Sequence, residues 1–162
     1  MFIQQLYTGF LSEAAYYIEN KGEAAIIDPL RDIDVYLQLA KQRNATIKYI
    51  FETHFHADFV SGHLDLAKAT GAPIIYGPKT VTQFPIHLAT DGEVFPLGDA
   101  SIEVLHTPGH TLESSCYLVR EADGRPMGPT LQPVALALWV PAFAGTTGKN
   151  RAGPALPASD PS

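Results

Sequence analysis

The sequence predicts an α/β fold in which strands outnumber helices and the loops after strands carry the functional side chains. Three observations support this prediction. Short apolar or β-branched runs recur along residues 1–126. Two segments with helical periodicity interrupt these runs. Histidine-rich loops follow two of the predicted strands, which is where α/β folds place their sites. A chain of 162 residues is long enough to bury a core.

The strands are predicted from apolar runs bounded by turn residues. They cover residues 2–8, 15–20, 23–28, 46–53, 73–76, 101–105 and 114–120. The second and third strands form a hairpin across Asn20 and Gly22, which tolerate positive φ. Proline and glycine interrupt residues 78–100, so this stretch is predicted as a loop with short strands.

Two helices are predicted between the strands. The first runs through about residue 43 with Asp32 as its N-cap, because a short acidic side chain can accept an exposed N–H there. The second covers residues 62–70 and ends at Gly71, since glycine readily adopts the left-handed conformation that ends helices. Alternation of strands and helices favours a largely buried sheet.

Composition excludes several classes of protein. Acidic residues outnumber basic ones by 17 to 11, for a net charge of −6. Because no Lys/Arg stripe is present, we expect no nucleic-acid or anionic-membrane partner. Cys116 is the only cysteine, so no intrachain disulfide can form. With no signal-like N-terminus and no long apolar run, the sequence favours a cytoplasmic protein.

The end of the chain differs in composition from the rest. Residues 127–162 contain 6 of the 13 prolines but only 3 of the 28 charged residues. Prolines break any long helix or strand there. We therefore expect one domain over residues 1–126 and a Pro/Ala/Gly-rich, partly disordered tail over residues 127–162.

The densest set of metal-binding side chains lies in the THFHADF segment, residues 53–59. All six histidines fall between His54 and His110, and this segment holds His54, His56 and Asp58. Imidazole and carboxylate groups are the usual ligands of zinc, iron and manganese. A loop leaving a strand can turn alternate side chains toward one point. These residues are therefore candidate metal ligands.

A second histidine-bearing loop has the sequence HTPGH and ends at His110. The Pro-Gly turn allows close approach to a ligand, and two strand-end loops can converge at one edge of a sheet. His110 is thus a further candidate metal ligand. His63, at the start of the second helix, is a candidate supporting or capping residue, and His87 and His106 are weaker candidates. Cys116, in an apolar strand, is predicted to be a small buried residue.

The two motifs THFHADFVSGH and HTPGHTLESSCYLV resemble those of the metallo-β-lactamase superfamily. They are most similar to those of the persulfide dioxygenases, and the glyoxalase II thioesterases are near relatives. The resemblance covers roughly residues 1–126. It implies the N-terminal part of an αββα sandwich, incomplete at its C-terminal side.

The resemblance also implies roles for individual residues. His54 and His110 match the iron-binding histidines of the dioxygenases. His56 matches a zinc ligand of the hydrolases, and Asp58 matches their second-metal carboxylate. The family usually has histidine where this chain has Phe59, and a phenyl ring cannot bind a metal. A centre with one metal ion is therefore favoured over one with two.

A further ligand of the family, an aspartate in a T-G-D segment, has no counterpart here. The corresponding stretch, residues 128–133, reads GPTLQP and contains no carboxylate. The resemblance therefore implies that a centre of two histidines and one carboxylate is impaired.

Three hypotheses for function follow from the resemblance. The first is Fe(II)-dependent oxidation of glutathione persulfide, or another thiol persulfide, to sulfite. The second is a Zn²⁺-dependent thioester hydrolase in which His54, His56 and His110 bind the metal, the metal lowers the pKa of a bound water, and Asp58 orients that water. His56 and Asp58 are the candidate catalytic residues. The third is an inactive, truncated remnant.

Overall fold

A computed structural model describes residues 1–8, 13–57 and 59–127. Nine strands and two helices lie within these ranges. In chain order they are β1 (Phe2–Thr8), β2 (Glu13–Asn20), β3 (Glu23–Ile27), α1 (Asp34–Gln42), β4 (Thr46–Glu52), α2 (His63–Thr70), β5 (Ile74–Tyr76), β6 (His87–Leu88), β7 (Val94–Leu97), β8 (Ala100–His106) and β9 (Ser115–Arg120).

The strands form two sheets. The larger has six strands in the order β1 to β6, and the smaller has three in the order β7 to β9. Neighbours in β1–β2–β3 and in the small sheet are antiparallel, whereas β3, β4, β5 and β6 run parallel. Helix α1 connects β3 to β4, and α2 connects β4 to β5. Parallel neighbours need such crossover connections.

The two sheets pack face to face around an aromatic core. The Phe51 ring of β4 lies 4.7 Å from Tyr117 of β9 and 5.3 Å from Phe95 of β7, measured between centroids. Helices α1 and α2 cover the opposite face of the large sheet, where Tyr36 and Leu66 are fully buried. The described residues thus form three consecutive layers, helix–sheet–sheet, of the predicted four-layer sandwich.

Strand β4 is central to this arrangement. Ile50, Phe51 and Glu52 are all fully buried in sequence. A run of buried residues, rather than alternation, is typical of a parallel strand covered on both faces. The carboxyl end of β4 is therefore a protected position between two layers.

Two details differ from the sequence-based prediction. Ile33 is the N-cap of α1, and Asp32 accepts the N–H of Asp34 (3.1 Å) from one position earlier. Met127, assigned to the tail by its composition, donates its N–H to Val119 O (2.9 Å) and packs against the core. The remaining tail, residues 128–162, lies outside the described residues. Within the described ranges, neither helix is long and apolar enough to cross a membrane.

Candidate metal centre

The predicted histidine loops meet at one edge of the sandwich. Strands β3 and β4 are parallel neighbours, so Asp28 after β3 lies beside Thr53 after β4. The loop between β8 and β9 carries His110 to the same edge. The N–H of Ser115, at the start of β9, donates to Thr53 O (2.9 Å) and joins this loop to the end of β4.

The three candidate histidine ligands lie in a row with His54 in the middle. The His54 ring centroid is 4.2 Å from that of His56 and 5.1 Å from that of His110. Solvent reaches the row from one side, because His110 is exposed whereas the His56 side chain is 2% exposed. Asp58, the fourth candidate ligand, lies outside the described residues, and its role stays a prediction.

Asp28 and Thr53 determine which nitrogen of His54 carries a proton. Thr53 donates its N–H to Asp28 Oδ1 (2.7 Å), and its hydroxyl lies 2.8 Å from Asp28 Oδ2 and 2.8 Å from His54 Nδ1. An ionised carboxylate only accepts, so the single hydroxyl proton goes to Asp28. The hydroxyl oxygen must then accept from Nδ1–H of His54. Nε2 is consequently the nitrogen that can bind a metal.

Two buried carboxylates surround His56. Its Nε2 lies 3.1 Å from Asp28 Oδ1 and 3.6 Å from Glu52 Oε2. Glu52 also accepts a hydrogen bond from Ser61 Oγ (2.6 Å) and lies 3.5 Å from Nδ1 of His63. The Asp28 and Glu52 side chains are 1% and 0% exposed. Carboxylates placed behind ligating imidazoles fix their orientation and raise their basicity.

These two carboxylates give a second possible cation site. Among the described residues, Asp28, Glu52 and His56 form a group whose ligand atoms all lie within 4.8 Å of one another. Sequence reasoning did not identify Asp28 or Glu52 as site residues. The available signal was an acidic residue at the end of each of two adjacent buried strands. These two acidic residues can be recognised as neighbours only once β3 and β4 are known to be adjacent parallel strands.

The buried carboxylates also affect nearby phenols. Burial raises the pKa of Tyr76, and the negative charges of Glu52 and Asp28 raise it further. Burial raises the pKa of Tyr117 in the same way, with the same two carboxylates adding to it. Burial lowers the pKa of His63. The charges of Asp28 and Glu52 thus add to the effect of burial at both phenols, whereas the shift at His63 comes first from its burial.

Phe59 occupies the position at which the family motif usually has histidine. Its ring packs against the His56 ring, with centroids 4.3 Å apart. An apolar ring thus covers the side of His56 that a second ligating side chain would otherwise occupy. Phe55, which lies between His54 and His56 in the chain, is 41% exposed and packs against Tyr76.

Glu113 joins the two histidine loops. It lies three residues after His110, and its Oε1 accepts the N–H of Phe55 (3.2 Å), the residue between His54 and His56. Burial alone would raise the pKa of Glu113, but hydrogen bonds from its own backbone and from Phe55 lower it overall. Sequence reasoning missed this residue, because a lone glutamate in a loop carries no distinctive pattern.

The other three histidines have different partners. His87 Nε2 lies 2.6 Å from Glu93 Oε1, and His106 Nε2 lies 2.9 Å from Leu112 O. His63 begins α2, as predicted, and contacts Glu52. Cys116 is buried, and its sulfur lies 3.3 Å from Thr107 Oγ1.

Comparison with known proteins agrees with this fold. Residues 8–124 match the family model described as the metallo-beta-lactamase superfamily. The chain therefore belongs to the metallo-beta-lactamase superfamily. Its similarity to hydroxyacylglutathione hydrolases and to ETHE1 supports the predicted branch of glyoxalase II enzymes and persulfide dioxygenases. Both the predicted family and its partial αββα sandwich are confirmed.

Two relatives illustrate the branch. A probable hydroxyacylglutathione hydrolase from Schizosaccharomyces pombe is 31% identical over 124 residues, which is 73% of this chain and 48% of that protein. The hydroxyacylglutathione hydrolase of Maricaulis maris is 36% identical over 101 residues, which is 60% of this chain and 39% of that protein. The chain thus spans less than half the length of these relatives.

Solved structures with similar folds also include a metallo-beta-lactamase and ETHE1. A metallo-beta-lactamase from Staphylococcus aureus has a TM-score of 0.74 at 37% identity, covering 79% of this chain and 42% of that one. ETHE1 from Myxococcus xanthus has a TM-score of 0.68 at 29% identity, covering 74% of this chain and 54% of that one.

Proposed function

We propose that this chain binds one catalytic metal ion, with Zn²⁺ the expected ion, and hydrolyses a thioester of glutathione. The observation that carries the proposal is the row of three imidazole rings of His54, His56 and His110 at the solvent-facing edge of the sandwich. The names of the hydroxyacylglutathione hydrolases, the relatives with 31% and 36% identity, support the substrate class.

The residues present fit a metal ion. His54 would bind through Nε2, because Thr53 engages its Nδ1. His56 would bind through Nδ1, because its Nε2 faces Asp28. His110, exposed on the second loop, would be the third ligand. A Zn²⁺ ion held by three imidazoles supplies a water of lowered pKa for hydrolysis.

The chain's own residues would prepare this site for the reaction. Asp28 and Thr53 hold two imidazoles in fixed orientations, so little reorganisation accompanies metal binding. We propose that Asp58 orients the attacking water. Phe59 supports one ion rather than two, because it places a phenyl ring beside His56.

A second candidate is Fe(II)-dependent oxidation of glutathione persulfide to sulfite. The fold similarity to ETHE1 and the phenyl ring of Phe59 favour it. Its centre would use His54, His110 and a carboxylate, the facial arrangement of non-haem iron oxygenases. Among the described residues, the group of ligand atoms close enough to hold an ion is Asp28, Glu52 and His56; it includes neither His54 nor His110 and so favours neither candidate. Because the curated relatives are named hydroxyacylglutathione hydrolases, thioester hydrolysis is our first proposal.

Two assays on the purified 162-residue chain distinguish the candidates. We expect the zinc-loaded protein to cleave a hydroxyacylglutathione thioester, and His110→Ala to abolish this cleavage. Iron-dependent O₂ consumption with glutathione persulfide, without thioester cleavage, would instead support the dioxygenase. Activity in neither assay would contradict both and support the inactive remnant.

A further inference from the structure

We infer that Glu113 is a positioning residue that sets the distance between the two histidine loops. This inference rests on the proposed metal centre. Glu113 belongs to the loop that carries His110, yet its carboxylate binds the peptide N–H between His54 and His56 (3.2 Å). Through this hydrogen bond, a side chain of the His110 loop contacts Phe55, the residue between His54 and His56.

Burial makes this contact specific. Glu113 is 8% exposed, although it lies in a loop next to an exposed Leu112. A buried carboxylate is costly unless hydrogen bonds satisfy it. The Phe55 N–H donates one such bond, and the Thr111 side chain is among the groups that lower the pKa of Glu113. The orientation of the side chain is therefore determined by the two loops it joins.

The backbone beside Glu113 is also tightly packed. A Cβ added to Gly77, just after β5, would lie 2.9 Å from Glu113 O and 1.8 Å from Ser115 Oγ. The Ser115 N–H in turn donates to Thr53 O (2.9 Å). Because its backbone cannot shift toward β5, Glu113 provides a fixed point from which its carboxylate holds Phe55.

Two substitutions separate the effect of the hydrogen bond that Glu113 accepts from the effect of its charge. Glu113→Gln retains a carbonyl oxygen that can accept the Phe55 N–H but removes the charge. Glu113→Ala removes both. If Glu113 acts by holding the loop, Glu113→Gln should bind Zn²⁺ within a few-fold of the natural chain. Glu113→Ala should bind about 10-fold or more weakly, in the range typical for lost partners of metal ligands.

The experiment measures Zn²⁺ affinity by chelator competition for both variants, with Glu121→Ala as an exposed carboxylate control at the far end of β9. Equal losses in Glu113→Gln and Glu113→Ala would overturn the inference in favour of charge. Unchanged affinity in Glu113→Ala would overturn it altogether. Should Glu113→Ala fail to fold, affinity of Glu113→Gln and amide exchange of the natural chain still decide.

Hydrogen exchange at the Phe55 amide provides the readout that does not depend on metal. We expect this amide to exchange slowly in the metal-free natural chain and in Glu113→Gln, because the contact exists without an ion. Rapid exchange in the natural chain would contradict the inference. A chain that binds no Zn²⁺ but protects the Phe55 amide would refute the proposed metal centre while leaving the loop contact intact.

Discussion

Thr53 shows how one small side chain can prepare a metal ligand. Its hydroxyl donates to Asp28 and accepts from Nδ1 of His54, so the buried charge of Asp28 acts on His54 through a single intervening group. Asp28 also contacts His56 directly. One carboxylate therefore orients two of the three proposed ligands. The orientation of His54 depends on the hydroxyl of Thr53.

Replacing Thr53 tests this dependence. Thr53→Val keeps the shape of the side chain but removes the hydroxyl, so His54 loses the partner that fixes its tautomer. We expect Zn²⁺ affinity to fall about 10- to 100-fold, as is typical when such partners are removed. Thr53→Ser should restore most of the affinity in the same chelator competition. Full affinity in Thr53→Val would show that the hydroxyl does not orient the ligand.

The sequence identifies the histidines but not the residues that hold them. His54, His56 and His110 stand out because of their spacing and their position after strands. Asp28 is distant from them in the chain, and its relevance depends on the parallel pairing of β3 with β4. Sequence patterns describe local order, whereas these contacts arise from the arrangement of strands.

At the scale of elements, the site depends on close packing between β5 and the start of β9. Gly77 follows β5 directly, and its lack of a side chain lets the Glu113–Ser115 backbone approach it. The strands and helices themselves were predicted close to their observed positions. The short strands β6 and β7 were expected only as parts of a Pro/Gly-rich loop, because their two- and four-residue lengths carry little periodicity.

Gly77→Ala should destabilise the fold. The added methyl group would overlap Ser115 Oγ at 1.8 Å, and the nearby backbone cannot yield without breaking the contact with Thr53. We expect a loss of about 1–3 kcal/mol in the free energy of unfolding, as for other overpacked sites.

Urea denaturation of both Gly77→Ala and Gly109→Ala measures this effect. Gly109 is the matched control, since a Cβ there meets nothing within 4 Å. Equal stability of the two variants would show that β5 and the β8–β9 loop are not closely packed.

For the whole molecule, carboxylates that bind N–H groups connect folding to pH. The N–H of Thr90 donates to Glu93 (2.8 Å), and this bond, together with contacts to His87, lowers the pKa of Glu93 below its usual 4.5. The pKa of Glu113 is also lowered in the folded chain. At these two carboxylates, the unfolded chain therefore binds more protons than the folded chain at acidic pH.

Glu93 is predicted to stabilise the fold less as the pH becomes acidic. The stability contributed by Glu93 is present above its unfolded pKa and is lost as the pH falls through its lower, folded pKa. The urea midpoint should therefore fall as the pH is lowered below about 4.5. Glu93→Gln should show a smaller fall between pH 7 and pH 3 than the natural chain. An identical fall in both proteins would contradict a stabilising role for this carboxylate.

The composition break at the end of the chain bears on the molecule as a whole. Met127, the first residue of the predicted tail, still packs on the core. The proposed carboxylate ligand of the dioxygenases has no counterpart in residues 128–133. A three-histidine centre uses only residues that precede this break.

The metal content of histidine and carboxylate variants, measured after saturation with Zn²⁺ and desalting, directly tests whether a single three-histidine centre binds the ion. We expect one ion per chain in the natural protein, almost none in a His54→Ala/His110→Ala double variant, and retained but weaker binding in Glu52→Gln. If the double variant retains its ion while Glu52→Gln loses it, the metal lies among Asp28, Glu52 and His56 instead. That result, or two ions per natural chain, would contradict the single three-histidine centre.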